Sequence, residues 1–149
     1  MKVLGLILGL GILALLGFAA WVRLAPSDPA VWHVDPGTVT ERGPRNSFLL
    51  AVGGDAAPLE LPLPPDQVAV RLESIALATP RTVRLAGKGD FVTYVTRSAA
   101  LGFPDYTSIR ILPTATGSHV LIFARSRYGD GDLGVNRARV DAWSAQLTP

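Results

Sequence analysis

The chain has 149 residues, 48% of them hydrophobic, with 14 Lys or Arg against 12 Asp or Glu and no cysteine. That length carries one domain with a real core and not two, and the absence of cysteine excludes a disulfide framework, thiol chemistry and thiolate metal sites. Charge is split rather than net: residues 24–80 hold three basic and seven acidic groups and residues 81–149 nine and five, a pattern that suits internal pairing and a local basic patch, not a general nucleic-acid binder.

The first element is an unbroken apolar run, Val3 to Val22, 20 residues without a charge. As a helix rising about 1.5 Å per residue it spans roughly 30 Å, the thickness of a bilayer's hydrocarbon core. Lys2 before it and the small residues Gly17, Ala19 and Ala20 near its end also fit a signal peptide. The run is long for a signal, and it ends in Trp21 and Arg23, residue types that settle at the headgroup level, which favours a retained anchor. The amino terminus and Lys2 on one side, against Arg23, Asp28 and Asp35 on the other, place the following domain outside the cytoplasm by the positive-inside rule. Gly5 and Gly9 form a small-xxx-small pair, a spacing that also follows from glycine's frequency in membrane helices.

Residues 23–46, rich in proline and glycine, read as a linker and lead-in segment without regular helix, in which Trp32 docks on the domain or lies at the membrane surface. The domain follows over 47–149. SFLLAV at 47–52 is a candidate buried strand, and LELPLPP at 59–65 is extended chain confined by its prolines to a sheet edge. A helix starts at Pro65-Asp66 and ends at Pro80, with Val68, Leu72, Ile75 and Ala76 on its apolar face. The period then changes to two. Strands are expected over 82–86, 91–98, 106–112 and 118–127, with turns at 87–90 and 113–117, and a closing helix over 136–147 buries Val140, Trp143 and Leu147. The fold class implied is α+β: an antiparallel β-sheet meander packed against two helices and preceded by one N-terminal transmembrane helix.

The densest local pattern runs from Arg125 to Val140, RSRYGDGDLGVNRARV. It resembles the C-terminal signature of the domain of unknown function 1499 family, S-R-S-R-x-G-x-S-D-L/F-G-V-N-R-x-R. It departs from that signature at Ala124 and Gly131, where serines are common. Thr93 to Asp105 and Ser27 to His33 are also similar to the family, so the resemblance covers roughly residues 25–147. It implies a coherent fold and carries no established activity.

Pairing of 106–112 with 118–127 through the turn at 113–117 sets opposite positions to a sum near 231, which puts Arg125 by Tyr106. Arg97, Arg125 and Arg127 then converge at one rim of the sheet, from which the glycine-bearing loop 129–134 leads to a helix N-terminus. Three readings follow. Asp105, Asp130 and Asp132 neutralise the arginines while Asp132 or Asn136 caps the helix. Alternatively, the rim binds an anion, whether lipid headgroup, phosphate or carboxylate, through Arg97, Tyr106, Arg125, Arg127, Asp130, Asp132, Asn136 and Arg137. Third, Asp130, Asp132 and Asn136 hold calcium, although the later bidentate glutamate of an EF-hand is missing.

His33 and His119 are the only histidines and lack ligand spacing, so no metal or cofactor is expected. No G-x-S-x-G elbow, phosphate loop or dinucleotide fingerprint is present. The function expected is therefore a single-pass, membrane-anchored envelope domain acting as a non-catalytic binding or accessory module through the arginine rim. Its partners are the lipid bilayer along residues 3–22 and an anionic ligand or an envelope protein, with no nucleic acid. The alternative is an enzyme acting on an envelope or lipid-derived substrate at the same rim, which requires Ser98 or Ser126 within reach of His33 or His119.

Overall fold

The computed structural model describes residues 2–40 and 43–148. Met1, Glu41 and Arg42 of the expected linker, and Pro149 lie outside the described residues.

Helix α1 (Lys2–Leu24) is long and apolar enough to cross a membrane. Most of its side chains are exposed, and only Ala19 and Val22 are buried. The next stretch corrects the expectation of an irregular linker. It forms α2 (Pro29–Trp32) and a 3₁₀ turn (Pro36–Thr38). Asp28 accepts from the Ala30 N–H at 2.9 Å and Asp35 from the Gly37 N–H at 2.8 Å. Each aspartate thus caps a turn that begins with proline, whose missing N–H costs nothing at a first helical position.

Strands β1 (Ser47–Leu50) and β2 (Leu59–Leu61) both pair with β6 and share one edge of the sheet, as the prolines after β2 require. Helix α3 (Pro65–Ala78) is followed by a meander: β3 (Thr82–Lys88), β4 (Phe91–Arg97), β5 (Pro104–Thr114) and β6 (Gly117–Ser126). The chain closes with α4 (Val135–Leu147). The result is one six-stranded antiparallel sheet, ordered β1-β6-β5-β4-β3 with β2 beside β6. Tyr106 lies opposite Arg125, the register expected from the sequence. The hairpin turns are two residues long, Gly89-Asp90 and Ala115-Thr116, tighter than the spans read from composition. Gly117 permits a close approach: a Cβ there would stand 2.0 Å from the Leu61 carbonyl oxygen of β2.

Alternation along the strands gives the sheet two different faces. One carries Val92, Tyr94, Ile109, Ile111, Val120 and Ile122 against Val68, Leu72 and Ala76 of α3 and Val140, Trp143 and Leu147 of α4. Trp143 meets Tyr94 edge-on, with centroids 5.9 Å apart, and its indole N–H donates to Thr79 Oγ1 at 2.9 Å. The ion pair of Arg84 with Glu73 ties β3 to α3. The other face, which presents Arg97, Tyr106, Ser108, Arg110 and Arg125, is covered by residues 26–39, with the short α2 and the 3₁₀ turn among them. Trp32 stacks on Tyr106 at 3.9 Å, His33 on Phe91 at 3.8 Å, and Asp35 pairs with Arg110 at 2.8 Å.

Candidate functional site

The eight residues expected at the rim divide by sheet face. Arg97, Tyr106, Arg125 and Arg127 occupy the face under the lead-in segment, while Asp132 and Asn136 belong to the start of α4 on the other side. Asp105 points with α4 as well, because it neighbours Tyr106 on β5 and adjacent side chains take opposite faces. The expectation that Asp105, Asp130 and Asp132 neutralise these arginines is therefore corrected. Asp105 pairs with Arg139 at 2.8 Å, both side chains being almost buried, and Asp132 caps α4. Asp130 is exposed.

Arg125 is held by backbone and rings. Its Nη2 donates to the Trp32 carbonyl at 2.8 Å, and its guanidinium lies 4.5 Å from the Phe123 ring centre and 5.3 Å from that of Trp32. Burial lowers its pKa to about 10, partly offset by Tyr106, so it keeps its charge at neutral pH. Tyr106 is fully buried, and its hydroxyl meets Ser27 Oγ at 2.8 Å. Arg127 donates to the Pro26 carbonyl at 2.8 Å, and Arg97 to the Gly102 carbonyl at 3.0 Å. Three arginines of one face thus fasten the lead-in segment and the β4–β5 loop to the sheet through carbonyl acceptors.

On the other face the motif builds a polar junction. Asp132 accepts from the N–H groups of Gly134 at 3.0 Å and Asn136 at 2.8 Å, satisfying donors that a helix start leaves open. Asn136 is fully buried. Its amide donates to the Asn46 carbonyl at 3.1 Å and Ser126 Oγ at 3.0 Å, and its Oδ1 accepts from Arg139 at 2.9 Å. Asn46 in turn donates to the Gly129 carbonyl at 2.6 Å. Motif loop, β1 lead-in and α4 are locked together by these bonds. Arg137 points away from them, 3.6 Å from Asp141 in an exposed pair. Arg139 and Asn46 were missed as site residues. Arg139 closes the motif and was visible in it, whereas Asn46 carries no local signal.

The serines and histidines are engaged separately. Ser126 accepts from Asn136, Ser98 Oγ accepts from the Phe103 N–H at 3.0 Å, His33 Nδ1 meets Thr93 Oγ1 at 2.8 Å, and His119 pairs with Glu60 at the opposite end of the sheet. Among the described residues no three His, Asp or Glu side chains gather as a metal site would need.

Around the motif loop lies an aromatic cluster that the sequence reading did not assemble. Phe18 and Trp21 of α1 meet Phe103 of the β4–β5 loop and Tyr128 of the motif. Centroids stand 6.1 Å apart for Phe18–Phe103, 6.0 Å for Trp21–Tyr128 and 5.7 Å for Phe103–Tyr128. Ring pairs at these separations attract; Phe18 meets Phe103 edge-on and the other two pairs are tilted. The cluster joins the last turns of the apolar helix to the two loops at the arginine end of the sheet.

No curated protein matches the chain. Among solved structures it is similar to the crystal structure of protein MLL2253 from Mesorhizobium loti, with 12% identity, 68% of this chain and 93% of that chain covered, and a TM-score of 0.49. The family described as "Protein of unknown function (DUF1499)" matches residues 35–147, which takes in the whole sheet, both packing helices and the motif, and the chain belongs to that family.

Proposed function

We propose that the protein is a single-pass, membrane-tethered binding module of the cell envelope, with no catalytic centre and with its domain outside the cytoplasm. The observation that carries this reading is the aromatic cluster of Phe18, Trp21, Phe103 and Tyr128. Tryptophan and tyrosine side chains prefer the headgroup region. Trp21 near the end of the helix and Tyr128 of the domain, packed together and against Phe18 and Phe103, hold the arginine end of the sheet down at the bilayer surface. Within that end Arg125, Tyr106, Asp132 and Asn136 form the frame. Arg97 and Arg127, partly exposed on one face of the sheet, form the surface offered to an anionic ligand or envelope protein. The separate engagement of Ser98, Ser126, His33 and His119 favours binding over hydrolysis. The charge bias about α1, Lys2 and the amino terminus against Arg23, supports an outward-facing domain.

Cell fractionation with alkaline carbonate washing tests the tether, and protease added to spheroplasts and to lysed spheroplasts tests the side. The reading expects the full-length chain in washed membranes, with the domain cut in unlysed spheroplasts. A full-length chain released by carbonate, or a domain protected until the spheroplasts are lysed, contradicts it.

A further inference from the structure

Beside the aromatic cluster, a cleft of about 420 Å³ opens between the end of α1, the α3–β3 turn and the β4–β5 loop. Arg23, Arg81 and Arg97 line it, with Val83 and Val95 supplying apolar wall and Ser98 a hydroxyl. No carboxylate lines the cleft, and among the described residues none of the three arginines forms an ion pair. Each is positioned through backbone carbonyls instead: Arg23 Nη2 donates to Ala100 at 2.7 Å, Arg81 Nε to Arg97 at 3.0 Å, and Arg97 Nη1 to Gly102 at 3.0 Å. A guanidinium has five N–H donors, so each arginine keeps donors free after these bonds.

Two backbone features show that the cations are placed with some effort. Thr79 to Arg81 make a turn closed by the Thr82 N–H on the Thr79 carbonyl at 3.2 Å, with Pro80 second and Arg81 third at φ +60°. The third place of a turn with positive φ ordinarily goes to glycine, because a Cβ is strained there. Here it holds an arginine that reaches the cleft. Across from it Gly102 sits at φ +78°, and a Cβ on it would stand 2.8 Å from Cγ of Arg23. The loop therefore leaves room for the Arg23 stem.

We infer that this cleft binds a phosphate group through Arg23, Arg81 and Arg97, the phosphate being that of an anionic phospholipid headgroup. The charge and shape argue for phosphate or phosphodiester: three forked donors suit an anion with several oxygens, and the valine wall accepts the glycerol and first methylenes of a lipid. The lipid source rests on the tethered reading above, which puts Arg23 at headgroup depth. The phosphate chemistry does not depend on it.

The full chain in non-ionic detergent, titrated calorimetrically with dihexanoyl phosphatidylglycerol, dihexanoyl phosphatidylcholine and inorganic phosphate, tests the inference. Phosphatidylglycerol is expected to bind at least tenfold more tightly than phosphatidylcholine. Arg81→Gly and Arg97→Gln should each weaken it tenfold or more, while Arg71→Gln, on the exposed side of α3, should change it less than twofold. Glycine suits the turn at position 81, so the melting temperature of Arg81→Gly should be unchanged or higher, which separates lost binding from lost folding. Inorganic phosphate that binds as tightly as the lipid, and is lost in the same variants, supports the site and assigns it to a soluble phosphate, even for a chain that fails the fractionation test. Absence of binding by both anions, or affinity unchanged in Arg81→Gly and Arg97→Gln, overturns the inference.

Discussion

Arg125 donates to the carbonyl of Trp32, 93 positions earlier in the chain, at 2.8 Å, and its charge rests between the rings of Trp32 and Phe123. The bond fastens the segment ahead of the domain onto the face of the sheet opposite α3 and α4. Removing the guanidinium leaves a carbonyl without its partner and a gap under two rings. Hydrogen bonds to charged groups contribute about 1.5–3 kcal/mol, and the lost packing adds to that. Arg125→Ala is expected to lower the unfolding free energy by about 2–4 kcal/mol, read by urea denaturation in detergent. An unchanged midpoint contradicts a structural role for this residue.

Asp105 and Arg139 form the most buried ion pair among the described residues, with side chains 12% and 9% exposed. Breaking such a pair strands a buried charge and costs about 3–5 kcal/mol, whereas replacing both members by apolar residues of similar volume is often close to neutral. Asp105→Leu and Arg139→Met should each destabilise by that amount, and the double variant by much less than their sum. A double-mutant cycle measures this, and additive losses would show that the two do not act as a pair.

His33 stacks on Phe91 beside Arg110 and Asp35. Burial, then the charge of Arg110, holds its pKa below the ordinary 6.5, with Asp35 acting in the opposite direction. A histidine whose folded pKa is lowered takes up a proton on unfolding, so stability rises with pH between its folded and unfolded values. Unfolding free energy should therefore fall as pH drops from 7.5 through 6.5 and flatten below the folded pKa. His33→Gln should remove that slope. The same slope in the variant, measured by urea melts across the range, would assign it to other groups.

Phe103 and Tyr128 hold the domain to α1 without being part of that apolar helix. Phe103→Ala with Tyr128→Ala should leave the chain in the membrane but loosen the domain's attitude. The protein has no native cysteine, so spin labels at Gly17→Cys and Thr116→Cys are clean probes. A distance distribution that is narrow in the parent and broad in the double variant is expected. Equal widths would mean that the cluster does not fix the orientation.

Much of this fold could be read in the sequence because local signals and tertiary packing agree. The β-branched run FVTYVTR marked the correct element, and the Val68, Leu72, Ala76 stripe marked both the correct element and its buried face. The 106–125 register followed from a short turn alone. The prolines of the lead-in segment signal breaks and so hide its short helices, although Asp28-Pro29 and Asp35-Pro36 are also cap-and-first-turn pairs. Its docking on the sheet depends on contacts such as Trp32 with Tyr106, 74 positions apart, which periodicity does not carry. The eight residues expected at one rim divide between the two faces of the sheet, and the backbone partners of Arg125 and Arg127 carry no local signal. Which face Asp105 takes is set by a single-residue alternation, and that sends it to Arg139 rather than to Arg125. Arg81 had a faint signal in the Pro-Arg turn, where glycine is the usual third residue.

The central claim, that the arginine end of the sheet lies on the bilayer, is tested most directly by spin-label accessibility in the full chain reconstituted into vesicles. Ala100, whose carbonyl receives Arg23, and Thr116, at the opposite β-hairpin tip, would carry single labels in turn. The account predicts that the Ala100 label collides readily with membrane-soluble oxygen and poorly with a water-soluble nickel chelate, and that Thr116 shows the reverse. Two labels with the same aqueous profile would contradict it.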